Sequence, residues 1–141
     1  MNMFKITTEV RAILLASDSI KDIVDEKIFP VIAPENTEGD FIVYQRDGYK
    51  QDRTKFGVYR QVPIVNVIAV SENYDRSQEL ASLIYDTLSG DFTDPDIYIE
   101  LEDSTEDFID NKYIQVLQFS IEQREYYGRS KIRFKKRYLQ R

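Results

Sequence analysis

The chain has 141 residues, 42% of them apolar, and no Cys, His or Trp, a length that suits one domain able to remove roughly two thirds of its unfolded surface from water without disulfide or metal support. Lacking thiols and imidazoles, it cannot make disulfides, thiolate nucleophiles, zinc sites built on Cys or His, haem ligation by His, or Ser/His/Asp and Cys/His catalysis; carboxylate, lysine and oxygen-ligand metal chemistry survive, and composition points away from catalysis. Charge is uneven: residues 1 to 123 carry 11 basic and 24 acidic side chains, a net of −13, whereas residues 124 to 141 carry 8 basic and 1 acidic, a net of +7, an asymmetry that reports on partners more than on fold.

Ile6, Val10, Ile13 and Leu14 recur at the spacing of an amphipathic helix, whose start Thr7 or Thr8 can cap. Ser17, Asp18 and Ser19 interrupt it, and Ile20, Ile23 and Val24 make a short second helical turn with Ser19 and Asp22 spaced as a capping box. Lys27 to Ile32 reads as a short extended segment that Pro30 confines to an edge or bend. Phe41, Val43 and Ile42, Tyr44 alternate on the two faces of a strand over Asp40 to Asp47. Gly48 to Gly57 is polar throughout its middle and predicts a long hairpin loop. Val58 to Ser71 returns as a strand with apolar residues on both faces, covered on both sides at its centre.

Asp75 and Gln78 imitate a capping box, Leu80, Leu83, Ile84 and Leu88 form a helical stripe, and Gly90 stands where a left-handed C-terminal cap belongs. Ile97, Ile99 and Leu101 alternate with Tyr98, Glu100 and Glu102 in a strand with one wet face, and Asp103 to Asn111 predicts an acidic turn. Tyr113 to Glu122 closes the sheet, with a bulge at Val116 and Leu117 to reconcile two apolar phases. The expected fold is α+β: a mainly antiparallel sheet of about four to five strands, two principal helices packed on one face, a long β-hairpin and a basic C-terminal extension. Residues 1 to 123 form one domain and 124 to 141 an arm. The stretch Ala12 to Ala16 is too short for a signal peptide, and the run Val62 to Val70 is too short for a bilayer core, which takes about 20 helical residues. A soluble, intracellular protein without membrane contact is expected.

Chemical motifs are weak. A calcium loop starting at Asp94 has Asp96 in third place but Ile99 where glycine makes the sharp turn and Thr105 where the bidentate Glu belongs, so the acidic stretch from Asp91 to Asp110 reads as a solvated strand face and loop. Among so many carboxylates a close pair arises by chance and does not by itself argue for acid–base work. The glycines form no phosphate-binding loop; no cofactor or metal is expected. Lys50, Arg53 and Lys55 stand in the hairpin, as a solvated tip or as a contact loop. In the arm, Lys131, Arg133, Lys135, Lys136 and Arg137 interleave with Phe134 and Tyr138, a pattern that stacks on bases and neutralises phosphates; the acidic body favours docking onto protein instead.

Ile28-Phe29-Pro30, Ala33-Pro34 and Tyr44-Gln45-Arg46, followed by the strand Val62 to Ser71, the helix carrying Ala81, Leu83 and Leu88, and Phe119-Ser120-Ile121, resemble the tail-completion, or tail-terminator, proteins of long-tailed double-stranded DNA phages and prophages. The resemblance covers about residues 6 to 122; the basic arm extends past it. It implies a structural, non-enzymatic subunit that forms a ring, commonly hexameric, at the head-proximal end of the tail. There the ring stops tail-tube growth and joins the head. The implied partners are other copies of the chain, the tail tube protein and head-connector proteins, with DNA passing through the ring without sequence-specific contact. The implied location is the host cytoplasm during assembly and then the virion. The alternative is a small nucleic-acid-binding protein that uses the basic aromatic arm.

Overall fold

The structure, a computed structural model, describes residues 2–123. The elements run α1 (Ile6–Leu15), α2 (Asp18–Val24), β1 (Ile28–Pro30), β2 (Phe41–Thr54), β3 (Gly57–Ser71), α3 (Tyr74–Leu88), β4 (Gly90–Thr93), β5 (Asp96–Ile109) and β6 (Lys112–Gln123). The strands make one six-stranded sheet in the order β1-β2-β3-β6-β5-β4. Only the β1–β2 pair is parallel. The α+β expectation with a mainly antiparallel sheet agrees with this, but the sheet has six strands where about four to five were expected.

All three helices lie on one side of the sheet, because their apolar stripes have one surface to bury against. Ile6, Val10 and Leu14 of α1, Ile20 and Val24 of α2, and Leu80, Ile84 and Leu88 of α3 pack on Ile42 and Tyr44 of β2, Val65, Val67 and Ala69 of β3, and Leu117, Phe119 and Ile121 of β6. Each such aliphatic side chain contributes about 1.5–3 kcal/mol on leaving water. Asn73 caps α3 by accepting the Arg76 N–H at 2.9 Å, and Ser17 caps α2 by accepting from Ile20 at 3.3 Å. Both caps fall two residues before the expected ones, Asp75 and Ser19, because the capping side chain must sit on extended backbone just outside the helix. Neither Thr7 nor Thr8 caps α1, whose N-cap is Lys5 with no side-chain bond.

Four expectations are corrected. Gly48 to Gly57 is not a long loop: β2 and β3 stay paired to Thr54↔Gly57, since backbone pairing is indifferent to polar side chains. Asp103 to Ile109 is not a turn but the second half of β5, and the hairpin to β6 is only Asp110 and Asn111, both at positive φ as a tight primed turn requires. The bulge lies in β5, between Leu101 and Asp103, while β6 keeps one register on β3 from Tyr113 to Ser120. β6 needs no bulge because Leu117 and Phe119 face the helices and Ile114 faces the other side, where a second apolar cluster awaits it. Gly90 does not cap α3; Ser89 does, and Gly90, at φ +116°, opens the unexpected β4.

No helix among the described residues is long and apolar enough to cross a membrane.

Candidate interaction surface

Among the described residues no element covers the sheet face opposite the helices. The alternation of β3 fixes its character: Val65, Val67 and Ala69 point into the core, so Val62, Ile64, Asn66, Ile68 and Val70 point the other way. Along this face the chemistry changes from one end to the other.

At one end Phe41, Val43 and Val70 are buried together against Phe29, Ala33, Ile68 and Ile114. The surrounding Val31, Ile32 and Ile109 are 61%, 77% and 50% exposed, and with them the cluster lines an open depression. Val31 is held at φ +67°, a strained conformation for a β-branched residue. Its N–H donates to the Tyr44 carbonyl at 2.8 Å and the next N–H, of Ile32, donates to the Pro30 carbonyl at 2.6 Å. Two apolar side chains are thus pushed into solvent by a tight backbone reversal.

At the other end the face is polar and mostly acidic. Asp47, Asp52, Glu100, Glu102 and Glu122 surround Lys50 and Arg60. Arg60 on β3 reaches Asp52 on β2 at 3.1 Å and forms an ion pair with Glu122 on β6, tying three strands at the surface. Ser120 donates to Glu102 at 2.7 Å.

The hairpin cations do not form one patch. Lys50 lines the acidic depression. Arg53 points to the opposite side with Gln51, to which it donates at 3.4 Å. Lys55 is in the turn, 5.4 Å from the centre of the Phe56 ring. Phe56 is 90% exposed, and nothing in a polar stretch marked it beforehand as a bare aromatic ring at the hairpin turn. The remaining contact candidates, Lys131, Arg133, Lys135, Lys136 and Arg137, lie outside the described residues.

Sequence reading also missed two clusters on the helix side. Arg46, the last residue of the Tyr-Gln-Arg motif, lies 4.5 Å over the Phe4 ring and 5.4 Å from the Tyr49 ring, and those rings stack at 4.6 Å, so the N-terminal residues are fastened to β2. Tyr74 of α3 donates to Glu106 of β5 at 3.1 Å, and Gln115 of β6 donates to the same carboxylate at 2.8 Å. The Tyr74–Glu106 bond, then desolvation, then the charges of Glu106 and Asp75 raise the Tyr74 pKa above its ordinary value. The carboxylates from Asp91 to Asp110 are dispersed over β4, both faces of β5 and the turns at Asp94 and Asp110, and no group of three suited to a metal ion occurs among the described residues.

No protein-family model and no curated protein matches the sequence. Among solved structures, a chain from the virion of a native gene transfer agent particle is similar in fold. The match has a TM-score of 0.68 at 12% sequence identity and covers 80% of this chain and 90% of that one.

Proposed function

We propose that this chain is a structural subunit of a phage or phage-like virion, and that it acts as a tail-completion subunit. Copies close into a ring at the head-proximal end of the tail, end the growth of the tube, and hold the tail to the head through the tail tube and head-connector proteins. The observation that carries this reading is the fold shared with nearly the whole of a chain from a gene transfer agent virion. The Ile-Phe-Pro, Ala-Pro and Tyr-Gln-Arg segments, which resemble those of tail-completion proteins, support the finer assignment; the first builds β1, the second follows the strained turn at Val31, and the third lies in the first half of β2.

The surface suits such work. Its apolar end offers a dry patch to an axial neighbour, and its acidic end repels phosphate, so that DNA passing nearby slides without sticking. The test is to mix the purified chain with tail tubes that lack their terminal ring and to image the ends. One added ring at one end, with longer tubes when the chain is withheld, is expected; bare ends at saturating protein would refute the reading. In the competing reading the arm binds nucleic acid. DNA affinity would then fall by close to one logarithmic unit per logarithmic unit of salt for each phosphate contact and would vanish on removal of residues 126–141.

A further inference from the structure

We propose that copies of this chain join edge to edge, the outer edge of β2 over residues 45–54 of one copy pairing antiparallel with the outer edge of β5 over residues 100–109 of the next. The proposal rests on the ring reading above and supplies its joint.

Both edges are left without a strand partner by the same device, although on β5 the Ser104 and Phe108 N–H groups donate to the side chains of Asp103 at 2.9 Å and Asp107 at 2.8 Å, bonds that a joining strand has to replace. β1 pairs with β2 only at Ile42, Val43 and Tyr44, and β4 pairs with β5 only from Asp96 to Ile99. Beyond those short guards, each strand runs on for ten residues with one side in the ladder and the other without a strand partner among the described residues. Met3 and Phe4 approach β2, but they bond the Tyr49 and Arg46 side chains, not its backbone. Long open edges attract another strand, and proteins that must avoid this shield or charge them. Here the charges differ. The β5 edge bears Glu100, Glu102, Asp103, Glu106 and Asp107 and no cation, whereas the β2 edge bears Arg46, Lys50 and Arg53 against Asp47 and Asp52. Two β5 edges repel each other, and β5 against β2 attracts, which selects a head-to-tail joint.

Direction and offset agree with closure. β2 and β5 are antiparallel within the sheet, through β3 and β6, so a neighbour related by rotation presents its β2 antiparallel to this β5. Across the ladder Gln45 is level with Asp103 and Gly48 with Glu100. The β2 edge extends from there toward the hairpin tip and the β5 edge extends the other way. Full overlap displaces each copy by roughly six residues, ~20 Å. Spread over four long strands ~4.8 Å apart, that displacement tilts the strands by about 45°, close to the tilt at which sheets close on themselves. A heterologous joint that closes makes a ring.

The test is a charge swap in the full chain, read by native mass and by imaging on tail tubes. Lys50→Glu should abolish assembly, as should Asp103→Lys, which lies on the same face of the sheet, while the two together restore it. Both positions are exposed, and unchanged far-UV circular dichroism and thermal midpoint verify folding. Assembly indifferent to either reversal, with rings still present on tubes, overturns the edge joint and leaves the ring reading standing. Absence of any ring with the wild-type chain overturns both. A cross-linker joining Lys50→Cys to Asp103→Cys of another copy supports the joint; links only between identical edges overturn it.

Discussion

The guanidinium of Arg76 holds both carboxylate oxygens of Asp40, Nε to Oδ2 at 2.9 Å and Nη2 to Oδ1 at 3.2 Å. It binds the first turn of α3 to the residue that launches β2, and so fixes the helix layer on the sheet at one end. Asp40 is only 5% exposed, and a carboxylate in that position needs its partner. The bond to Asp40, and then its charge, raise the Arg76 pKa above its ordinary value.

Arg76→Ala should therefore lower the thermal midpoint by leaving Asp40 unpaired. Arg76→Lys should recover only part of the loss, because an ammonium cannot reproduce the two parallel bonds. Calorimetry of the three proteins checks the order; equal midpoints for the lysine and wild-type chains would refute the bidentate role.

Tyr74 predicts a pH effect of definite sign. Its pKa is raised by Glu106, so the folded chain favours the neutral phenol. The stabilisation is fully present below the ordinary value of about 10 and is lost as pH climbs through the raised one. Tyr74→Phe should accordingly be less stable than wild type at pH 8, and the gap should narrow above pH 10. Denaturant midpoints at both pH values measure it.

Phe119, 1% exposed in the centre of β6, should cost about 3–5 kcal/mol when truncated to alanine. Phe56, at the outer turn, should change stability by less than about 0.5 kcal/mol when replaced by serine. Urea titrations distinguish the two.

Val31 offers a separation of stability from assembly. Val31→Gly relieves strain of about 1–3 kcal/mol, gives back about 0.5–1 kcal/mol in chain entropy, and loses little burial, so the variant should be more stable by about 1 kcal/mol. It also removes one exposed apolar side chain from the patch, and under the tail-completion role proposed above attachment to tail tubes should weaken. A variant both less stable and fully competent in attachment would contradict both halves.

Elements whose apolar residues repeat with a clear period were legible: α1, α2, α3, the first halves of β2 and β5, and most of β3 and β6. The outer halves of β2 and β5 were not, because Lys50, Asp52, Glu106 and Asp107 present no apolar alternation to read, and those halves owe their extension to the strand beside them. Side was equally hidden. Lys50 and Arg53, three residues apart, face opposite ways by strand parity, which can be read only once the segment is known to be strand and not loop. Val31, Ile32 and Ile109 look like core residues in any hydropathy pattern; only the positive φ of Val31 and the end of β5 at Ile109 put them outside.

The route of the chain through its sheet also sets how it must fold. The β2–β3 and β5–β6 pairs are hairpins that form from neighbouring residues, but β3 meets β6 only after α3 and the β4–β5 segment have been spanned. That seam, where Val67 pairs with Leu117, requires closing a large loop and should be the slow, late event, with refolding in the millisecond-to-second range typical of non-local pairings. A newly made subunit would then exist briefly as two separate ribbons, each with a sticky margin, before the joining of its halves made it fit for use.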